Sequence, residues 1–336
     1  MKIKFWGVRG STPTPERRNS RYGGNTACVE LRLANGTLII LDCGSGLRSL
    51  GKSLLREYGE HPIHGYMLMT HFHWDHIQGI PFFPPLYKKG NAFLFHSVLR
   101  KGLELKGAVE GQMVNPYFPV DMSAMGAVRH FFDLDERPID LNGAIISSAP
   151  LNHPQECVAY RIDADGASFV FSTDTEPGSA YHDRAIRELA QGADVLVYDA
   201  QYTPEQLIGD KRGWGHSSWL EGARIARECN VRQLILFHHD PDNDDVFVDG
   251  LVEKAKQEFE KWFATSNQAF SNFKGFISRR LLKPIKGGNY AAIVEFENQD
   301  AFQAMHSSST HDDAGDNVRP LFDGKPTPTF YEVIEE

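Results

Sequence analysis

At 336 residues and 41% hydrophobic content, the chain is long enough for one large domain and a smaller one, with apolar matter for a sizeable core. Its formal charge of -9, with lysines and arginines dispersed among acids, argues against a face built to grip long nucleic acid. No apolar run reaches membrane-spanning length, and Met1-Lys2-Ile3-Lys4 leads straight into a strand instead of a signal peptide. A cytoplasmic protein with no membrane partner is expected. Cys28, Cys43, Cys157 and Cys229 are scattered, which suits buried, reduced thiols better than a disulfide framework.

In chain order, the first stretch that carries chemistry is His71-Phe72-His73-Trp74-Asp75-His76. It follows Tyr66-Met67-Leu68-Met69, an apolar run that predicts a strand. Extended backbone turns alternate side chains the same way, so His71 and His73 face together. A turn at Trp74 then aims Asp75 and His76 at a second point close by. Two adjacent metal ions fit this better than one closed structural site. Imidazole and carboxylate without thiolate suit Zn, with Mn or Fe as alternatives. A histidine-rich surface loop is the plainer alternative, and the downstream pattern weighs against it.

Two segments rich in aromatics and proline come next, Ile80 to Tyr87 and Met113 to Val120. Beside a metal centre, such rings can stack a nucleobase. Equally, they can pack beneath a loop or form an oligomer contact. Tyr87, Tyr117 and Phe118 are the candidates for substrate contact. His153 then follows the strand-like Ala144-Ile145-Ile146, Asp174 closes Phe169-Val170-Phe171-Ser172-Thr173, and His238-His239 ends Leu234-Ile235-Leu236-Phe237. Each apolar run delivers a ligand-type residue at its C-terminal end, where the edge of a sheet offers a crevice. Singly, each is weak, because such residues also serve in caps and turns. As a series they are strong.

The last quarter reads as a separate unit. Residues 255 to 273 predict a helix with Phe259, Trp262 and Phe263 on one stripe. Two strand-like runs follow, Gly275 to Leu282 and Tyr290 to Phe296, separated by Gly287-Gly288-Asn289, which suits a hairpin. A short helix from Gln299 to His306 and a final run near Phe330-Tyr331-Glu332-Val333 complete it.

Together with Phe5-Trp6-Gly7-Val8-Arg9-Gly10-Ser11, Tyr22-Gly23-Gly24-Asn25-Thr26 and Leu41-Asp42-Cys43-Gly44-Ser45-Gly46, these motifs resemble the metallo-β-lactamase superfamily. They also look like one branch of it, which contains ribonuclease Z-like and cyclic-phosphate phosphodiesterases. The resemblance implies an α/β fold, an αββα sandwich over residues 1–258, with two divalent metal ions at one edge. Carried over by position, His71, His73 and His153 hold one ion, and Asp75, His76 and His238 the other, with Asp174 bridging. Either member of the His238-His239 pair could ligate. His238 is preferred because it directly follows the strand.

Gly213-Trp214-Gly215-His216-Ser217-Ser218 resembles the Gly-His-Ser-Thr element of ribonuclease Z-type enzymes, which makes His216 the candidate acid or phosphate binder. Asp199 stands where that family usually has the Glu that supports this histidine. Arg9 and Asn25 are candidate substrate contacts. Residues 259–336 resemble the ferredoxin-like antibiotic-biosynthesis monooxygenase family. Such domains often pair, so a homodimer or a small regulator is expected there.

The expected chemistry follows from the ligands. Two close metals can acidify a bridging water and clamp a phosphoryl oxygen, while Asp75 orients the hydroxide. The leaving alkoxide needs a proton from the far side, the task assigned to His216. The expectation is a metal-dependent phosphodiesterase for a small phosphodiester, above all a cyclic nucleotide or cyclic phosphate. The alternatives are a thioester, lactone or lactam hydrolase, an RNA-processing phosphodiesterase and a non-catalytic sensor. RNA is disfavoured by charge and by the lack of the substrate-grasping arm of ribonuclease Z enzymes.

Overall fold

The computed structural model describes residues 1–98, 104–135, 137–282 and 291–311. Side-chain alternation decides its layers. In β3 (Leu38–Leu41) all four residues are buried: Leu38 and Ile40 join one apolar cluster, Ile39 and Leu41 another. A strand buried on both faces needs an apolar partner on each side. β1 (Lys2–Gly7), β2 (Cys28–Arg32), β3, β4 (His64–Met69), β5 (Ala92–Ser97) and β6 (Val128–Asp133) form the first sheet in chain order. Its pairs are antiparallel up to β3 and parallel from β3 to β6.

The second sheet also runs in chain order through β7 (Ile139–Leu141), β8 (Ala144–Leu151), β9 (Cys157–Ala164), β10 (Ala167–Ser172), β11 (Val195–Asp199) and β12 (Gln233–Phe237). It is antiparallel up to β10 and parallel beyond. Between the sheets, Ile39, Leu41 and Leu68 meet Tyr160, Ile162, Phe169, Phe171 and Phe237. The outer face of the first sheet is covered by α1 (Gly46–Tyr58) through Leu47, Leu50 and Leu54. Short helices α2 (Trp74–Ile77) and α3 (Leu105–Glu110) follow in that half. The second sheet is covered by α4 (Ala180–Ala190), with α5 (Pro204–Ile208) a short excursion and α6 (Trp219–Glu228) the second cover. Ile186, Leu189 and Ile225 pack there against Val170 and Leu196. The result is the αββα sandwich.

α7 (Asp245–Phe270) is a single helix of 26 residues that leaves this sandwich and enters the C-terminal unit. It begins ten residues earlier than the apolar stripe suggests, because Asp244 accepts the Phe247 amide and caps the helix there. The expected boundary at 258/259 therefore falls inside one continuous helix. β13 (Phe276–Leu282) and β14 (Ala291–Phe296) pair antiparallel, and α8 (Gln299–His306) follows. Arg279 of β13 lies over the rings of Phe263 and Phe270, which fastens the hairpin to α7. The expected turn Gly287-Gly288-Asn289 and the run near Phe330-Val333 lie outside the described residues. The four cysteines are free and buried. Among the described residues, no helix is long and apolar enough to cross a membrane.

Candidate metal centre

The strand ends converge on one edge of the sandwich. β4 stops at Met69, and Thr70 to His73 run on without regular structure until α2 begins at Trp74. That short helix turns Asp75 and His76 inward and buries both, while Trp74 stays exposed. Three further strand ends use a left-handed residue to swing a side chain sideways. Asp42 after β3 has φ +56°, Asp174 after β10 has φ +53°, and His238 after β12 has φ +58°. Such a conformation costs a non-glycine residue roughly 1–2 kcal/mol and recurs at functional sites.

The side chains form three adjoining groups, one of which joins Asp174 and His238 to Asp199 and His216. His71, His73, His153 and Asp174 each offer a ligand atom, with all of these atoms within 4.8 Å of one another. Asp75, His76 and His238 do the same. Asp174 stands between them: its Oδ1 is 3.7 Å from His71 Nε2, and its Oδ2 is 3.3 Å from both His76 Nε2 and His238 Nε2. Of the consecutive histidines, His238 turns its ring into the cluster, while His239 turns toward Tyr22.

A second layer orients these rings. The Asp42 carboxylate takes His76 Nδ1 at 2.8 Å and accepts the Thr70 amide and hydroxyl. Gln201 Oε1 accepts His238 Nδ1–H at 2.7 Å, and Gln155 Oε1 accepts His73 Nε2–H at 2.7 Å. Gly215 O accepts His153 Nδ1–H at 2.9 Å, and the Ser11 amide donates to Asp75 Oδ2 at 2.8 Å. With one ring nitrogen occupied in this way, the other is aimed at the centre, where it could coordinate a cation.

The donor set fits divalent cations. His71 Nε2 is buried without a hydrogen-bond partner in a place where a polar atom should have one. Burial, and after it His76, hold the His71 pKa well below its ordinary value, so the imidazole is neutral and able to coordinate. Burial also dominates at His76, but Asp75, Asp174 and Asp42 outweigh it and raise that pKa. Burial alone would raise the Asp75 carboxyl, yet His76 and His238 hold it below the carboxylate range. Four carboxylates, Asp42, Asp75, Asp174 and Asp199, are buried within this one region. Buried negative charge of that density calls for cations.

At the rim, His216 Nδ1 donates to Asp199 Oδ2 at 2.9 Å. Burial opposes its protonation, but Asp199 more than compensates and raises the His216 pKa to about 9. Asp199 also accepts the amides of Asp174, Gln201 and Ser217, so one carboxylate ties β10, β11 and the His216 loop together. Ser218 caps α6 directly behind.

Against this geometry the comparisons with known proteins are decisive. Residues 37–239 match the beta-lactamase superfamily domain. The chain belongs to the β-lactamase superfamily. An uncharacterized protein of Mycobacterium leprae is 31% identical to this superfamily member over 271 residues, 77% of this chain and 84% of the relative. A protein named ribonuclease Z from Thermoplasma acidophilum is 25% identical over 323 residues, 80% of this chain and 94% of that one. In three dimensions, the metallo-beta-lactamase fold protein YhfI from Bacillus subtilis superposes with a TM-score of 0.57 at 18% identity. That match covers 76% of this chain and 91% of YhfI. Residues 251–316 match the antibiotic biosynthesis monooxygenase family, so the superfamily hydrolase carries a second, ferredoxin-like domain.

Packing bears on the expected substrate contacts. Arg9 is fully buried, and its guanidinium donates to Gly23 O, Asn243 O and Asp245. It is a structural tie to the start of α7 and is closed to a phosphate. Asn25 bonds Trp6 O and Ser45 Oγ, holding the loop beneath the site. Tyr87 donates its hydroxyl to Pro81 O, and Phe118 packs edge-on against Phe82. The Tyr87 bond stays within its own segment, and the Phe118–Phe82 contact joins the two proline-rich segments. Tyr117 is exposed, in a pocket formed by its own segment, Met113 to Asp121. Asp42, Gln155 and Gln201 went unassigned from sequence. Only Asp42 left a signal, as an acid directly after a buried apolar strand.

Proposed function

We propose that this chain is a two-metal phosphodiesterase for small phosphodiesters, with a cyclic nucleotide or cyclic phosphate as the first candidate. The observation that carries the reading is the His216–Asp199 pair beside a carboxylate shared by two ligand groups. A thioester's thiolate leaves without help, whereas an alkoxide expelled from phosphorus gains from a carboxylate-supported imidazole that can protonate it. The relative named ribonuclease Z adds weight, because that name denotes phosphodiester chemistry.

His71, His73 and His153 would hold one cation, Asp75, His76 and His238 the other, and Asp174 both. Zinc is preferred for this nitrogen-rich set, with manganese or iron as alternatives. When bound, such ions acidify water and neutralise phosphoryl charge. The protein's own residues do the rest. Asp75, fixed by the Ser11 amide, orients the attacking water, whose proton passes to solvent. As the water oxygen bonds to phosphorus, the bond to the leaving oxygen breaks. His216 then delivers a proton from Nε2 to that alkoxide, while Asp199 holds Nδ1–H and stabilises the charged ring.

The deciding measurement is hydrolysis of bis(p-nitrophenyl) phosphate by zinc-loaded protein beside a chelated sample. Nitrophenol release that needs the metal supports the reading. Silence in both, with turnover of a thioester or lactone, replaces it by carbonyl chemistry.

A further inference from the structure

Trp214 is exposed, yet the loop that carries it is firmly tied. The two oxygens of the Glu176 carboxylate accept Gly213 N–H at 2.8 Å and Gly215 N–H at 2.9 Å. Both glycines are left-handed, at φ +85° and +82°. Between them the indole residue keeps 56% of its surface in solvent. Lys211 brings its ammonium to 4.2 Å from the Trp214 ring and 5.5 Å from the Tyr202 ring. Tyr202 is buried and stands edge-on to His216, with ring centres 5.6 Å apart. A chain of contacts therefore links His216, through the buried Tyr202 and then Lys211, to Trp214.

A lone exposed aromatic residue needs no explanation. This one is held in place from both sides, carries a cation against its ring and lies two residues before the proposed proton donor. A flat indole beside an ammonium offers two things at once: a stacking surface and an anion partner. A nucleotide has a matching base and phosphate. We infer that Trp214 and Lys211 form a specificity subsite that takes the base and an anionic group of a nucleotide on the leaving-group side of His216. The side of entry rests on the phosphodiesterase reading; the binding itself does not.

The test is calorimetric titration of the full-length, zinc-loaded protein with AMP and with ribose 5-phosphate, which lacks the base. AMP is expected to bind about 10-fold or more tighter, the range that one base stacked on an aromatic side chain supplies. Trp214→Ala should erase this ratio, and Trp214→Phe should keep most of it, which separates a lost ring from a disturbed loop. Lys211→Ala should weaken both ligands and flatten the dependence on salt. Equal affinity of the wild type for the two ligands, or an unchanged ratio in Trp214→Ala, overturns the subsite. Turnover of bis(p-nitrophenyl) phosphate measured in parallel keeps the two readings apart. Turnover without AMP preference removes the subsite and leaves the phosphodiesterase. An AMP preference abolished by Trp214→Ala, without turnover, does the reverse.

Discussion

In the proposed mechanism Asp75 and His216 divide the chemistry between the two ends of the scissile bond, and their variants should fail differently. Asp75→Ala loses a ligand atom and the water-orienting carboxylate together, so turnover should fall by orders of magnitude even after metal loading. Wild-type turnover in that loaded variant would end the mechanism. His216→Ala should slow an alkyl ester by about 10²- to 10⁴-fold, the usual reach of general acid catalysis, and a nitrophenyl ester far less. Equal losses on both esters would make His216 a phosphate binder. Asp42 touches neither end. It holds the Nδ1 side of His76, so Asp42→Asn should cost about 10- to 100-fold in metal affinity or activity. Equilibrium dialysis with zinc would measure that loss directly.

The elements that place these residues are loops at strand ends, and their freedom is small. Gly215 shows why. It has φ +82°, and a β-carbon there would lie 2.3 Å from His153 Nδ1. Gly215→Ala should therefore displace His153 and also weaken the loop that carries His216. Zinc stoichiometry by elemental analysis should drop while the circular dichroism of the sandwich stays unchanged; full zinc content would refute the coupling. Gly10 has the same relation to His238, whose ring atoms lie 2.6 Å from the position of an added β-carbon. On the other side, α7 is locked to the N-terminal loops by Arg9–Asp245, Tyr22–Asp249 and Arg21–Asp249. The helix that enters the C-terminal unit is thus anchored one loop away from the Ser11 amide that holds Asp75.

For the molecule as a whole, the centre is a concentration of buried charge that the proposed cations would complete. Removing them leaves four buried carboxylates supported by histidines and amides alone. Chelation should lower the Tm, and zinc at about 1,000 times its Kd should restore stability worth about 4 kcal/mol by mass action. A Tm indifferent to chelator and zinc would mean that the folded state binds no metal. The two sheets and their covering helices supply the rest of the stability through three apolar layers, none of which includes the ligands.

Much of this was legible in the chain before any fold was known. The paired strand runs, the ligand-type residues closing them and the helix–strand–strand–helix tail are local patterns, set by alternation, apolar runs and turn chemistry. His71, His73, Asp75, His76, His153, Asp174 and His238 could be picked out because each follows a buried run and sits where a sheet ends. What required the tertiary structure is what depends on contacts between distant segments. Arg9 reads as a phosphate ligand until Asp245, 236 positions away, is seen to bury it. Nothing in the chain distinguishes the two consecutive histidines as firmly as the left-handed turn at His238, which sends one ring inward and the other toward Tyr22. Asp42, Gln155 and Gln201 became partners of the candidate ligands only when separate strand ends met. Local sequence determines which side chains stand at the ends of strands; the packing of one sheet on the other determines which of them meet.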